Sequence, residues 1–115
     1  MLPKKFRLKG RKEIQRVISQ GKKITLENSD IYFIKNNLDY CRFCIVAKKK
    51  VFKKASQRNR AKRLVRESIR KNLKNLNLSY DFVVFAKESI FKKKLTDIAT
   101  EFKNFFNKLN KNEYL

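Results

Sequence analysis

The side chains with the greatest capacity for chemistry in this chain are cationic, and they crowd one stretch: Ala47-Lys48-Lys49-Lys50-Val51-Phe52-Lys53-Lys54-Ala55-Ser56-Gln57-Arg58-Asn59-Arg60-Ala61-Lys62-Arg63-Leu64-Val65-Arg66-Glu67. On a helix beginning near Ser56, Arg58, Lys62, Arg66 and Arg70 fall four residues apart and form one ridge, with Asn59 and Arg63 beside it. Like charges stacked at that spacing cost an isolated helix about 0.2–0.5 kcal/mol per pair, so the arrangement works against folding unless a counter-charge arrives. Phosphates supply one. Arginine forks take phosphate oxygens two at a time, and a helix N-terminus with Ser56 adds backbone donors. A helix face that merely meets solvent would mix in more glutamate than Glu67 alone.

Other chemistries are poorly provided for. The chain has no His, which removes Ser-His and Cys-His nucleophile arrangements, and its carboxylates are scattered singly rather than gathered for metal ions. Two glycines in total cannot build a glycine-rich phosphate loop. The expectation is therefore that the polypeptide holds no catalytic residue and no metal of its own. Cys41 and Cys44 form a C-x-x-C, but they lie in the strand-like run Tyr40-Cys41-Arg42-Phe43-Cys44-Ile45-Val46, where residues three apart point to opposite faces. With no second pair and no His to complete a zinc site, two packed or half-exposed thiols are expected.

Charge tells the same story at larger scale. Thirty-one Lys and Arg against ten Asp and Glu give +21, far more than solubility favours in a small domain. Residues 1–23 hold nine basic side chains and residues 48–74 hold thirteen, with only Glu13 and Glu67 as acids; the rest of the chain carries nine basic and eight acidic groups. A field confined to two segments implies a binding face for a polyanion. No apolar run approaches the ~18 residues of a membrane span, and no secretory signal opens the chain, so the sequence reads as cytoplasmic with no membrane partner.

The elements that must position this face are legible from periodicity. A length of 115 residues suits one hydrophobic core, so residues 1–115 read as a single domain. Ile14, Val17 and Ile18 mark a first helix over 11–20, ending at Gly21 in what suits a left-handed cap position. Strands are expected around 30–36 and 42–48, separated by the turn Asn36-Asn37-Leu38-Asp39, with a short additional strand near Lys23 to Leu26. Ala61, Leu64, Val65, Ile69, Leu73 and Leu76 give a central helix of about five turns. Asp81 to Ala86 reads as a buried strand, and Leu95, Ile98, Ala99, Phe102, Phe105, Phe106 and Leu109 as a C-terminal amphipathic helix. The order is αβββαβα, an α+β sandwich with helices on one face of a small mixed sheet and the other face partly open near Tyr32.

The basic stretch resembles the protein component of bacterial ribonuclease P, whose hallmark is a helix opening with Arg-Asn-Arg, then Lys-Arg-Leu and a further Arg. Arg58-Asn59-Arg60, Lys62-Arg63-Leu64 and Arg66 match it, and the resemblance extends to Phe6-Arg7-Leu8, to Ala47-Lys48-Lys49 and to Asp81-Phe82-Val83-Val84-Phe85-Ala86-Lys87. The resemblance implies a left-handed crossover through the central helix, contrary to the usual right-handed rule. It also implies a partner, a large catalytic RNA, one protein per RNA, that removes the 5′ leader of precursor tRNA with Mg²⁺ held mainly by the RNA. On this likeness Lys48, Lys49, Lys53, Lys54, Arg58, Asn59, Arg60, Lys62, Arg63, Arg66 and Arg70 face the catalytic RNA, and Arg7, Lys9 and Arg11 add N-terminal contacts. Ile14, Ile18 and Tyr32 fall at positions that hold the single-stranded leader in a cleft between the first helix and the sheet. Family members usually carry aromatics at the two first-helix positions, so Ile14 and Ile18 forgo part of the stacking energy, and periodicity alone favours the core for both. Near Lys50 to Phe52 the chain is one residue longer than the family pattern. The competing readings are a general RNA-binding protein of ribosomal type and, less favoured by composition, an autonomous nuclease.

Overall fold

Alternation along two strands decides how the molecule is layered. In β2 (Ser29–Lys35) and β4 (Tyr80–Ala86), Ile31, Phe33, Phe82 and Val84 lie on one face, and Tyr32, Ile34, Val83 and Phe85 on the other. The computed structural model describes residues 3–76, 79–111 and 114. Its sheet has four strands in the order β1-β2-β4-β3. β1 (Lys22–Thr25) and β4 each run antiparallel to β2, whereas β3 (Arg42–Val46) runs parallel to β4. A parallel pair needs a crossover, and α2 (Ala55–Asn72) supplies it. Beyond β3 the N-terminal segment adds a bridge, with the Leu8 N–H donating to the Phe43 carbonyl at 2.8 Å.

One face of the sheet carries the main core. Ala61, Val65 and Ile69 of α2, together with Ile98, Phe102, Phe105, Phe106 and Leu109 of α3 (Leu95–Asn110), close over Ile31, Phe33, Phe43, Phe82 and Val84. Phe43 and Phe82 stack at 4.9 Å across the parallel pair, and burying each such ring contributes roughly 1.5–3 kcal/mol. Polar ties fix the helices to one another and to the sheet. Asn72 Nδ2 donates to the Ala99 carbonyl at 2.8 Å, and Asn28 Nδ2 to Glu101 at 2.7 Å. On the opposite face α1 (Arg11–Gln20) sets Val17 against Leu8 and Val83, with Ile14, Ile18, Tyr32, Ile34, Cys44, Val46 and Phe85 packed around them.

The element order is the αβββαβα expected. The expectation of helices on one face only is not met, since α1 packs on the face expected to be open. The central helix stops at Asn72, short of Leu73 and Leu76 in its expected stripe, and a 3-10 turn follows. Three further details differ. The strand expected over 42–48 stops at Val46, because the Val51 and Phe52 N–H groups both turn back onto the Lys48 carbonyl. The central helix starts at Ala55 rather than Ser56, with Gln57 Oε1 accepting from the Lys54 N–H at 3.3 Å, so Ser56 is not the cap. Gly21 is not left-handed either: its φ is −81°. It is required by close approach instead, since a Cβ there would stand 2.4 Å from the Val17 carbonyl oxygen and 2.7 Å from that of Phe33. Both neighbours are backbone atoms that cannot swing aside. Gly21→Ala should therefore lower stability by about 1–3 kcal/mol in urea unfolding; an unchanged midpoint would contradict this contact.

The two thiols lie on opposite faces, as the three-residue spacing requires. Cys41 is in the main core beside Tyr80, and burial pushes its thiol up to about 11. Cys44 is in the α1-side cluster, and burial raises its thiol also. Thiolate chemistry at neutral pH is thus disfavoured at both.

Candidate nucleic-acid interface

On the α1 side of the sheet, strand alternation brings Tyr32 of β2 and Phe85 of β4 together edge to face, with ring centroids 5.7 Å apart. Both are half-buried, at the edge of the cluster that Leu8, Val17 and Val83 centre on this face. Two ammonium groups stand over the rings: Lys23 Nζ at 5.7 Å from the Tyr32 centroid, and Lys48 Nζ at 4.9 Å from that of Phe85. Ile14 and Ile18 belong to the same cluster and are half-buried, whereas Val17 between them is fully buried. An apolar strip with cations above it can accept a base on a ring and its phosphate on an ammonium. Lys48, expected with the central-helix set, therefore lies at this cleft. Phe85, Val46 and Lys23 were not singled out by the sequence. The signal for Phe85 was its two-residue offset from Val83, hidden because the strand read as uniformly buried.

Along α2 the cations divide between two flanks. Ala61, Val65, Ser68, Ile69 and Asn72 face inward. Arg58, Lys62 and Arg66 are half-buried on the flank beside β3. Arg66 joins Arg7, Leu8, Lys9, Phe43, Cys44 and Ile45 around a depression of about 220 Å³, and the charge of Lys62 counters part of the rise that burial imposes on Cys44. Arg58 has a structural duty as well: its Nη1 donates to the Phe52 and Lys53 carbonyls at 2.9 and 3.1 Å, which holds the preceding lysine-rich loop against the helix. Arg60 occupies the other flank, with its guanidinium 5.1 Å over the ring of Phe91. Asn59, Arg63 and Arg70 are exposed between the flanks, and Lys49, Lys53 and Lys54 are exposed in the loop before the helix. Arg70 pairs with Glu67 at 2.9 Å and lowers its carboxyl. Arg11 is exposed at the start of α1, outside the group formed by Arg7, Lys9 and Arg66.

A buried carboxylate sets the position of α1 over the sheet. Asp81, fully buried on β4, accepts from Arg42 Nε at 2.9 Å and Arg42 Nη2 at 2.8 Å, from Asn36 Nδ2 at 2.9 Å, and from Arg16 of α1. Burial alone would push its carboxyl up, but the hydrogen bonds from Arg42, Asn36 and Arg16 outweigh burial and hold it below the usual carboxylate range. Because Arg16 belongs to the same helix as Ile14, Val17 and Ile18, this network ties the helix that carries those side chains to β4.

Among the described residues, no three His, Cys, Asp or Glu side chains gather where a metal ion could sit, and no helix is long and apolar enough to cross a membrane. The model of the ribonuclease P family matches residues 2–110. The chain belongs to the ribonuclease P protein family. It is 42% identical over 103 residues to the ribonuclease P protein component of Fusobacterium nucleatum, covering 86% of this chain and 92% of that relative. It is 37% identical to the component from Clostridium acetobutylicum, with 91% of this chain and 89% of the relative covered. Among solved ribonuclease P proteins, that of Thermotoga maritima superposes with a TM-score of 0.77 at 31% identity over 87% of this chain and 94% of the other. A Staphylococcus aureus ribonuclease P protein mutant, described as defective in mRNA degradation activity, superposes with a TM-score of 0.79 at 25% identity over 94% and 90% of the two chains. The ribonuclease P family thus accounts for nearly the whole chain, cleft and basic helix included.

Proposed function

We infer that this chain is the protein subunit of a ribonuclease P, with a role in tRNA 5′ processing, and that it uses two surfaces. The cations of α2 and its preceding loop, with Arg7 and Lys9, meet the catalytic RNA. The cleft of Ile14, Ile18, Tyr32 and Phe85, overhung by Lys23 and Lys48, takes the single-stranded leader of precursor tRNA. The observation that carries this reading is the edge-to-face Tyr32–Phe85 pair beneath two ammonium groups, on the sheet face that α1 only partly covers. A protein that merely anchored ribosomal RNA would have no use for such a strip, and the family match does not favour that alternative.

In this account the polypeptide supplies no acid, base or nucleophile. Mg²⁺ would be held mainly by the RNA, and the protein's cations would replace some of the ions that screen repulsion between the catalytic RNA and its substrate. One protein per RNA and a cytoplasmic site of action complete the proposal.

Substitutions separate the two surfaces. Arg66→Ala removes a charge from α2 and should weaken assembly with the catalytic RNA by about 1–3 kcal/mol, the cost of one charge-assisted contact. Tyr32→Ala should leave assembly nearly intact and weaken binding of precursors carrying a leader more than binding of mature tRNA. Tyr32→Phe keeps the ring and should change little. The measurement is the affinity of the assembled particle for substrates with and without a leader. Equal losses for both substrates in Tyr32→Ala would make the residue scaffold and overturn the cleft assignment.

A further inference from the structure

We propose that Phe91 is a positioning residue for Arg60: its ring holds the guanidinium in a fixed plane so that the N–H edges of Arg60 are presented to RNA phosphate. Phe91 lies in the short turn Glu88–Lys92 after β4, remote in sequence from the basic helix. Arg60 lies over it at 5.1 Å, alone among the α2 cations in having an aromatic face beneath it. The ring is itself held. Phe52, buried at the end of the lysine-rich loop, meets it edge to face at 5.3 Å, and the adjacent Ile90 is fully buried and anchors the turn. Phe91 therefore cannot swing away with the arginine.

The physical consequence concerns ordering. A free surface arginine loses rotamer freedom when it grips a phosphate, and that loss subtracts from affinity. An arginine already resting over a ring has lost much of it beforehand, while its five donors, which the ring does not bind, remain available to a phosphate. Neither Arg58, bound to two backbone carbonyls, nor Arg70, paired with Glu67, is set up in this way. Lys92, next to Phe91 in the same turn, and Lys94 just beyond it are both exposed, so this part of the chain carries further cations.

The inference rests on the reading of α2 as an RNA-facing helix, and the test keeps the two apart. The affinity of the full-length chain for the catalytic RNA is measured at one fixed salt concentration for Phe91→Leu, Phe91→Tyr, Arg60→Ala and the Arg60→Ala/Phe91→Leu double variant, with thermal unfolding of each as a control. Phe91→Leu keeps an apolar contact for Phe52 but removes the ring, and should weaken binding about two- to five-fold. Phe91→Tyr should bind like the unaltered chain. In the Arg60→Ala background, Phe91→Leu should cause no further loss. Phe91→Met takes the place of the leucine variant should that one fail to fold. An equal loss from Phe91→Leu in both backgrounds would make Phe91 a packing residue only and overturn the proposal. Weakening by Arg60→Ala with no effect of Phe91→Leu would also overturn it, leaving the helix reading in place. No effect of Arg60→Ala would remove Arg60 as a contact, and the proposal with it.

Discussion

Asp81→Ala is expected to lower the unfolding free energy by about 3–5 kcal/mol at neutral pH, the cost of leaving buried charge without its partner. The carboxylate has no solvent exposure and is the point at which Arg16, Arg42 and Asn36 converge. Its removal strands two guanidinium groups that are each less than a third exposed and unhooks α1 from β4. Glu13, which bonds both arginines at 3.2 and 3.3 Å, is half-exposed and can compensate only in part. Asp81→Asn keeps the volume and one acceptor oxygen, so its loss should be smaller. The pH dependence has a definite sign. The folded carboxyl titrates below its unfolded value of about 3.9, so its stabilisation is present in full above that pH and is lost as pH falls through the folded value. The deficit of Asp81→Ala should therefore be constant from about pH 5 upward and shrink in acid. Urea unfolding at neutral and acid pH reads this directly; a deficit that is absent at neutral pH, or that does not shrink in acid, would contradict the network.

The second large effect is on binding to RNA. If about six phosphates are neutralised, log K for the catalytic RNA should fall against log salt with a slope of roughly −4 to −5. Raising salt from 50 to 200 mM then weakens binding by roughly 250- to 1,000-fold. The exposed lysines of the loop before α2 and the α2 arginines should each reduce the slope by about one when replaced. Tyr32→Ala should leave it unchanged, because a ring releases no counterion. A slope near zero in the unaltered chain would rule out an electrostatic interface.

How much of this was legible beforehand depends on the range of the interaction. Helix α1, helix α3 and the succession of strands along the chain follow from local apolar spacing at Ile14, Val17 and Ile18, at Phe102, Phe105 and Phe106, and at Ile31 and Phe33, because burial on one face imposes a period that the chain must display; the order of the strands within the sheet does not. Gly21 ends α1 as expected, but for a different reason: its constraint is close approach to the Val17 carbonyl of its own helix and to that of Phe33 on the neighbouring strand, and the second contact has no local signature. The cation-rich helix was plain in the sequence, but its division into two flanks was not. That depends on Lys62 lying by Cys44 and Arg60 by Phe91, pairings fixed only when β3 and the turn after β4 dock on either side. Phe85 was concealed for a similar reason. In a strand apolar at nearly every position, only knowing what covers each face separates a core ring from one at a cleft. Asp81 looked like the polar start of a buried strand, and its three partners come from α1, from the turn after β2 and from β3.

Reconstitution decides whether the polypeptide assists an RNA catalyst. Precursor tRNA is incubated at low Mg²⁺ with the catalytic RNA alone, with the protein alone, and with both, and the 5′ end of the product is mapped. Removal of the leader at the mature 5′ end is expected when both are present, with little cleavage by the RNA alone under these conditions and none by the protein. Specific 5′ processing by the RNA-free protein, or failure of the protein to raise cleavage by its cognate RNA, would contradict that role.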